Sequence, residues 1–137
     1  MAKILTGQCA CGAICYGCEA DPFMMFNCHC RDCQRASGTA YAAILIVPKA
    51  AVRMTGEPRY HKVVGNAGSG IERGFCGSCG SHLLLRLDRF PQVLGLQAGN
   101  LNDPSLYRPS KDVFTSSAQP WDYLDPALEK HTHEQPT

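Results

Sequence analysis

Nine cysteines in a chain of 137 residues restrict what this sequence can become. Seven lie between Cys9 and Cys33, and the remaining two, Cys76 and Cys79, follow more than forty residues later. An odd number cannot pair completely into disulfides. The first residues, Met-Ala-Lys-Ile-Leu-Thr-Gly-Gln-Cys, contain no signal-peptide apolar stretch, so a cytoplasmic location is expected. Thiols stay reduced there, and clustered cysteines then point to metal ligands or reactive groups.

The cysteines fall into three groups. Cys9-Ala10-Cys11-Gly12 and Cys76-Gly77-Ser78-Cys79-Gly80 each offer two sulfurs followed by glycine. Zinc takes four ligands at tetrahedral corners. A Cys-x-x-Cys turn supplies half of that set, and Gly80 permits the positive φ that lets backbone N–H groups face the thiolates. In Cys-x-Cys, residues i and i+2 of an extended chain point the same way. Two such halves make one closed site of four thiolates, whose zinc would be structural and whose binding energy would be folding energy.

Cys28-His29-Cys30-Arg31-Asp32-Cys33 offers three sulfurs within six residues. Three protein ligands and one open position is the layout of catalytic zinc. A fourth ligand from Cys15, Cys18 or His29 would instead close it as a second structural site. His29, the middle residue of a Cys-x-Cys, should turn its ring away from a metal held by Cys28 and Cys30, toward outer-shell hydrogen bonding or the surface. Cys15-Tyr16-Gly17-Cys18 belongs to an alternating strand, where i and i+3 face opposite sides. Cys18 is expected as a small buried residue and Cys15 as a half-exposed one.

The rest of the chain reads as mainly β. Thirteen glycines and nine prolines punctuate short apolar runs, with no sustained 3.6-residue period. Candidate strands cover 3–6, 13–18, 23–27, 41–47, 51–55, 59–64, 71–75, 82–87, 93–98 and 112–115. Residues 31–36 could form one helical turn before Gly38, and 65–70 a hairpin loop. Residues 1–124 are expected to form a single zinc-binding domain, and the polar stretch 125–137 a frayed C-terminal tail.

Other functions find little support. The longest apolar run, Ala40 to Val47, is far short of a membrane span. Thirteen Lys and Arg against twelve Asp and Glu, with a pI near 7.6, do not suit a nucleic-acid binder. Arg53, Arg59, Lys62 and Arg73 are interleaved with acids. No phosphate loop, dinucleotide fingerprint or nucleophile elbow is present.

Taken together, 7–14 (Gly-Gln-Cys-Ala-Cys-Gly-Ala-Ile), 28–33 (Cys-His-Cys-Arg-Asp-Cys) and 75–81 (Phe-Cys-Gly-Ser-Cys-Gly-Ser) resemble the glutathione-dependent formaldehyde-activating enzyme family, which includes centromere protein V. Ala98-Gly99-Asn100-Leu101-Asn102-Asp103-Pro104 is similar to that family's Ala-Gly-x-Leu-Asp-Asp-Pro stretch, and Pro120-Trp121 to its terminal Pro-Trp. The resemblance implies a β-tent of several small antiparallel sheets stapled by zinc. It implies structural zinc on Cys9, Cys11, Cys76 and Cys79, and a second zinc on Cys28, Cys30 and Cys33 with the fourth position for substrate. It further implies a carbon–sulfur lyase of the S-(hydroxymethyl)glutathione synthase type, whose partners are a small thiol such as glutathione and an aldehyde, formaldehyde. The alternatives are a non-catalytic zinc module that binds a protein, and a thiol redox or metal sensor.

Three thiolates with Zn²⁺ leave a charge of −1, and an incoming thiolate would make it −2. Arg31 and Arg35 are the nearby cations in sequence that could offset it, although most surface arginines are only solvated. The chain departs from the family pattern at Cys15, Cys18, Asn102 and Lys111-Asp112-Val113, none of which belongs to either proposed zinc set.

Overall fold

The computed structural model describes residues 4–64 and 68–133. It contains eleven strands and one α-helix among those residues: β1 (Leu5–Gln8), β2 (Cys15–Cys18), β3 (Met24–Cys28), α1 (Arg31–Ser37), β4 (Ala42–Pro48), β5 (Val52–Thr55), β6 (Arg59–Val64), β7 (Gly70–Phe75), β8 (His82–Leu87), β9 (Val93–Gln97), β10 (Lys111–Val113) and β11 (Glu129–Lys130). The mainly β expectation holds. Each of the ten candidate strands is present, shifted at its ends by up to two residues. The expected helical turn is α1, which stops at Gly38 in the left-handed conformation. Of the expected hairpin loop, residues 65–67 lie outside the described residues; the flanking β6 and β7 pair antiparallel, Val64 opposite Gly70.

The strands form two sheets. One holds three strands in the order β1-β2-β5, the other eight in the order β11-β10-β3-β4-β9-β8-β7-β6. Pairing is antiparallel except where β10 runs parallel to β3 and to β11. β4 comes from the longest apolar run and lies inside the large sheet, covered on both faces. Its alternation divides the core in two. Leu45 and Val47 pack with Leu94, Leu96, Leu83 and Leu84, under Leu5, Ile14, Tyr16 and Cys18 of the small sheet and its turn. Ala42 and Ile44 pack on the other side with Leu85, Val113 and the three cysteines Cys28, Cys30 and Cys33. This is the two-periodicity of a strand acting on a layered fold. Cys9 and Cys76 lie in the first core half, so each cysteine cluster is built into a different side of the large sheet.

Close packing sets one position in the small sheet. A side chain at Gly7 would meet the ring of Tyr16 across the β1–β2 pair, and only glycine leaves the ring its place.

Of the frayed tail expected over 125–137, residues 134–137 lie outside the described residues, and the part up to His133 is paired instead. β11 pairs with β10, and the N–H groups of Phe114, Thr115 and Ser116 donate to the carbonyls of His133, His131 and Thr132. Without this segment β10 would present an open edge of unpaired backbone groups, which is unfavourable beside a packed core. Polar side chains outside and backbone pairing inside give no hydropathy signal, which is why composition alone suggests fraying.

Candidate metal centres

The first cluster joins two turns that are far apart in sequence. Gly12 N–H donates to the Cys9 carbonyl at 3.1 Å and Gly80 N–H to the Cys76 carbonyl at 2.8 Å. Both glycines have positive φ, 78° and 77°, as the knuckle geometry requires. The turns aim N–H groups at sulfur: Ile14 N–H lies 3.3 Å from Cys9 Sγ and Ser78 N–H 3.4 Å from Cys76 Sγ. Cys9 and Cys76 are buried, whereas Cys11 and Cys79 are exposed. The Ser81 hydroxyl, 3.3 Å from Cys79 Sγ, and the Ser81 N–H push the Cys79 thiol down to about 5.

The donor set fits a tetrahedral ion. Four sulfurs 2.3 Å from a centre stand about 3.8 Å from one another at tetrahedral corners. Cys9 and Cys11 sulfurs are 3.7 Å apart, and Cys11 and Cys76 sulfurs 3.8 Å. All four lie within 4.8 Å of one another. A disulfide would bring two sulfurs to about 2.05 Å; all nine cysteines are free.

The second cluster is contiguous and buried. β3 ends at Cys28, and Cys30 is the N-cap of α1, its sulfur accepting the Cys33 N–H at 3.3 Å. Asp32 in the first turn and Arg35 in the last suit the polarity of the helix. The sulfurs of Cys28, Cys30 and Cys33 lie within 4.8 Å of one another, and no fourth His, Cys, Asp or Glu among the described residues joins them. Charge settles on Cys30, held down to about 3 because Cys28 and Cys33 share their protons with it. The Cys28 thiol is pushed up for the same reason, its proton being drawn to Cys30. Three converging sulfurs, one of them favoured as thiolate by its two neighbours, are a donor set that suits a soft divalent metal.

His29 is turned away from the sulfurs and is fully buried. Its Nε2 lies 2.8 Å from Asp112 Oδ1 and its Nδ1 3.4 Å from Asp122 Oδ2, with Tyr41 against the ring. Asp112 also accepts from Asn27 Nδ2 at 3.2 Å and faces Lys130 Nζ at 3.0 Å. Burial raises the Asp112 carboxyl, but the hydrogen bonds from His29, Lys130 and Asn27 outweigh it and leave the pKa lowered. The His29 carbonyl accepts from Gln34 Nε2 at 2.7 Å, and the same amide reaches Ser117 O at 3.0 Å. His29 is thus hydrogen-bonded inside the protein and not at the surface.

The cation beside the cluster is Arg73 of β7. Its Nη2 is 3.8 Å from Cys33 Sγ, and the residue is 5 % exposed. Arg31 and Arg35, the sequence neighbours, are exposed, and Arg31 instead donates to Gln34 Oε1. Sequence reading missed Arg73, Asp112 and Asp122 as neighbours of this site. The period of β7 marked Arg73 no more than any other charged strand residue.

Cys15 and Cys18 join neither cluster. Cys15 is half-buried with its thiol toward Gly12 O at 3.4 Å, and Cys18 is buried with its thiol toward Ala20 O at 3.5 Å.

The model of the glutathione-dependent formaldehyde-activating enzyme family matches residues 4–117. The chain belongs to that family. Its fold is similar to the crystal structure of a Rhodobacter sphaeroides protein determined as a structural genomics target. That likeness has a TM-score of 0.56 and 18 % sequence identity, covering 71 % of this chain and 87 % of the other. No curated protein matches the chain. Both cysteine clusters lie inside the stretch shared with the formaldehyde-activating family, as do Arg73 and Asp112; Asp122 and Lys130 lie beyond it.

Proposed function

We propose that the protein is a zinc-dependent carbon–sulfur lyase of the formaldehyde-activating type, working in the cytoplasm on the adduct of a thiol such as glutathione with an aldehyde. Cys9, Cys11, Cys76 and Cys79 hold a structural zinc. Cys28, Cys30 and Cys33 hold a second. The observation that supports this reading most is the difference in donor count, four sulfurs in one cluster and three in the other. A zinc ion at the second cluster would supply an open position where a thiol loses its proton at neutral pH.

The chain's own residues prepare that site. Cys30, fixed as the N-cap of α1, and Cys28, fixed by β3–β4 pairing, cannot both rotate away. His29, locked between Asp112 and Asp122, fixes the backbone that separates them. Burial among Ala42, Ile44, Leu85 and Val113 excludes water and strengthens every charge interaction at the sulfurs. The reaction is the addition of a thiol to formaldehyde. The thiolate sulfur forms a bond to the aldehyde carbon, the carbonyl electron pair moves to oxygen, and a proton completes the hydroxymethyl group. Holding both reactants in place makes that encounter effectively intramolecular.

Elemental analysis of freshly reduced protein should give two zinc atoms per chain. The Cys30→Ser variant should remain folded with one zinc and lose turnover of glutathione with formaldehyde. Equal turnover by that variant rejects the proposal. Comparing glutathione with other thiols in the same assay identifies the preferred partner.

A further inference from the structure

Arg73 is placed in a way that charge balance alone does not explain. It sits in the middle of β7, opposite His61 on β6 and Leu85 on β8, so its backbone is held on both sides. Its side chain is buried, and one terminal nitrogen, Nη2, meets Cys33 Sγ at 3.8 Å. The other, Nη1, is buried and has no hydrogen-bond partner among the described residues. Both nitrogens share one guanidinium carbon, so the unused donor lies beside the same cluster. A buried donor left unpaired is costly, and native structures retain few of them without a functional reason. Nearby, His82 is half-buried and its Nδ1 is likewise without a partner; burial, and then the Arg73 charge, lower its pKa. Arg73 Nη1 and His82 Nδ1 are thus two buried polar atoms that the protein leaves without a hydrogen-bond partner among the described residues.

We propose that Arg73 is a catalytic residue of the three-cysteine site, resting Nη2 on Cys33 and donating from Nη1 to the oxygen of the aldehyde or of the hydroxymethyl group formed from it. The inference rests on the thiol–aldehyde reading above. As the C–S bond forms, the carbonyl π pair becomes a lone pair on oxygen and negative charge grows there. Arg73 only hydrogen-bonds that oxygen and transfers no proton to it. The proton that completes the hydroxymethyl group replaces the one the thiol released to solvent. In the reverse direction the same donor holds the oxygen while the C–S bond breaks and the C=O bond re-forms. The substrate class is thus a thiol whose sulfur bears, or receives, a carbon carrying one oxygen.

Arg73→Lys and Arg73→Met variants test this. Lysine keeps the positive charge but loses the second prong. In the zinc-loaded Arg73→Lys protein, zinc content should stay at two per chain, and glutathione affinity by calorimetry should change by about threefold or less. Its kcat for glutathione with formaldehyde should fall about 100-fold, the loss seen when one oxyanion donor is removed. Arg73→Met should lose turnover at least as far and bind glutathione more weakly. Wild-type turnover by Arg73→Lys shows that only the charge matters, and a loss of glutathione affinity that accounts for the whole loss of turnover shows that Arg73 serves binding alone; either result overturns the proposal. A wild-type protein that neither binds glutathione nor turns over formaldehyde overturns the reading of the site, and the role of Arg73 with it.

Discussion

The two cysteine clusters solve the same chemical problem with opposite materials. The Cys9–Cys11–Cys76–Cys79 cluster is assembled from two turns and is half exposed. Its sulfurs receive N–H groups from their own turns. The Cys28–Cys30–Cys33 cluster comes from six consecutive residues and is wholly buried. Its surroundings come from elsewhere in the chain: Arg73 from β7, Asp112 from β10, and Asp122 and Lys130 from the C-terminal segment. A site that must only hold an ion can be self-sufficient and face water. On the function proposed above, the second site must also do chemistry, and distant residues supply its arranged environment.

The largest effect should come from breaking the first cluster. Cys11 and Cys76 are separated by 65 residues, so an ion there ties the small sheet's first turn to the β7–β8 connection. Structural zinc in small domains contributes about 10–16 kcal/mol of apparent binding energy, more than the whole stability of an ordinary domain. The Cys76→Ser variant should therefore fail to fold, with zinc below one atom per chain and a circular dichroism spectrum of unfolded protein. A folded Cys76→Ser protein would remove the structural role from this cluster and blur the contrast with the second.

His29→Leu probes the other side of the comparison. It leaves three sulfurs intact but takes one hydrogen-bond partner from the buried Asp112 carboxylate and the ring that faces Asp122, and leaving a buried polar group short of a partner costs about 1–3 kcal/mol. The protein should still fold on the first zinc. Zinc at the second cluster should be lost to a competing chelator at about 10- to 100-fold lower chelator concentration, the usual consequence of disturbing outer-shell partners. Zinc at the first cluster should be unaffected. Equal weakening of both would mean that the network supports the fold in general and not the cluster beside it.

The contrast also explains what could be read from the sequence. Each half of the first cluster was legible because a turn is local: Cys-x-Cys-Gly and Cys-x-x-Cys-Gly specify both the turns and the direction of the sulfurs, and two matching halves pointed to their meeting. The grouping of the three sulfurs of the second was legible for the same reason. Its environment was not, because Arg73 lies 40 residues from Cys33 and Asp112 83 residues from His29, and register in an eight-stranded sheet brings them together. Most strands followed from alternation and turn residues. β11 did not, since two polar residues at a sheet edge have no apolar pattern to betray them.

A smaller effect follows from pH. The Asp112 carboxyl has a lower pKa folded than the ordinary value near 3.9 of an unfolded chain. Its contribution is then fully present above that ordinary value and disappears as pH falls through the folded pKa, because the unfolded chain takes up the proton first. Urea midpoints of wild type and Asp112→Asn should differ most near pH ~6, and the gap should begin to narrow as pH falls below about 4. A constant gap across that range would show that the carboxylate charge is not what the network uses.

The smallest effect is expected at the cysteines outside both clusters. Cys15 and Cys18 are spaced like a metal knuckle or a redox pair, yet their sulfurs bond to carbonyls of different turns, Gly12 and Ala20. In β2 they face opposite sides of a strand, so neither a shared ion nor a disulfide can form without breaking the β1–β2–β5 pairing. Cys15→Ser should change stability by about 0.5 kcal/mol or less, as for ordinary part-exposed positions. Zinc content should remain two. Mild oxidation followed by mass spectrometry should show no Cys15–Cys18 disulfide while the protein is folded. A reversible disulfide there would make β2 a redox element and give the molecule a third cysteine site, because spacing alone would then have outweighed strand geometry.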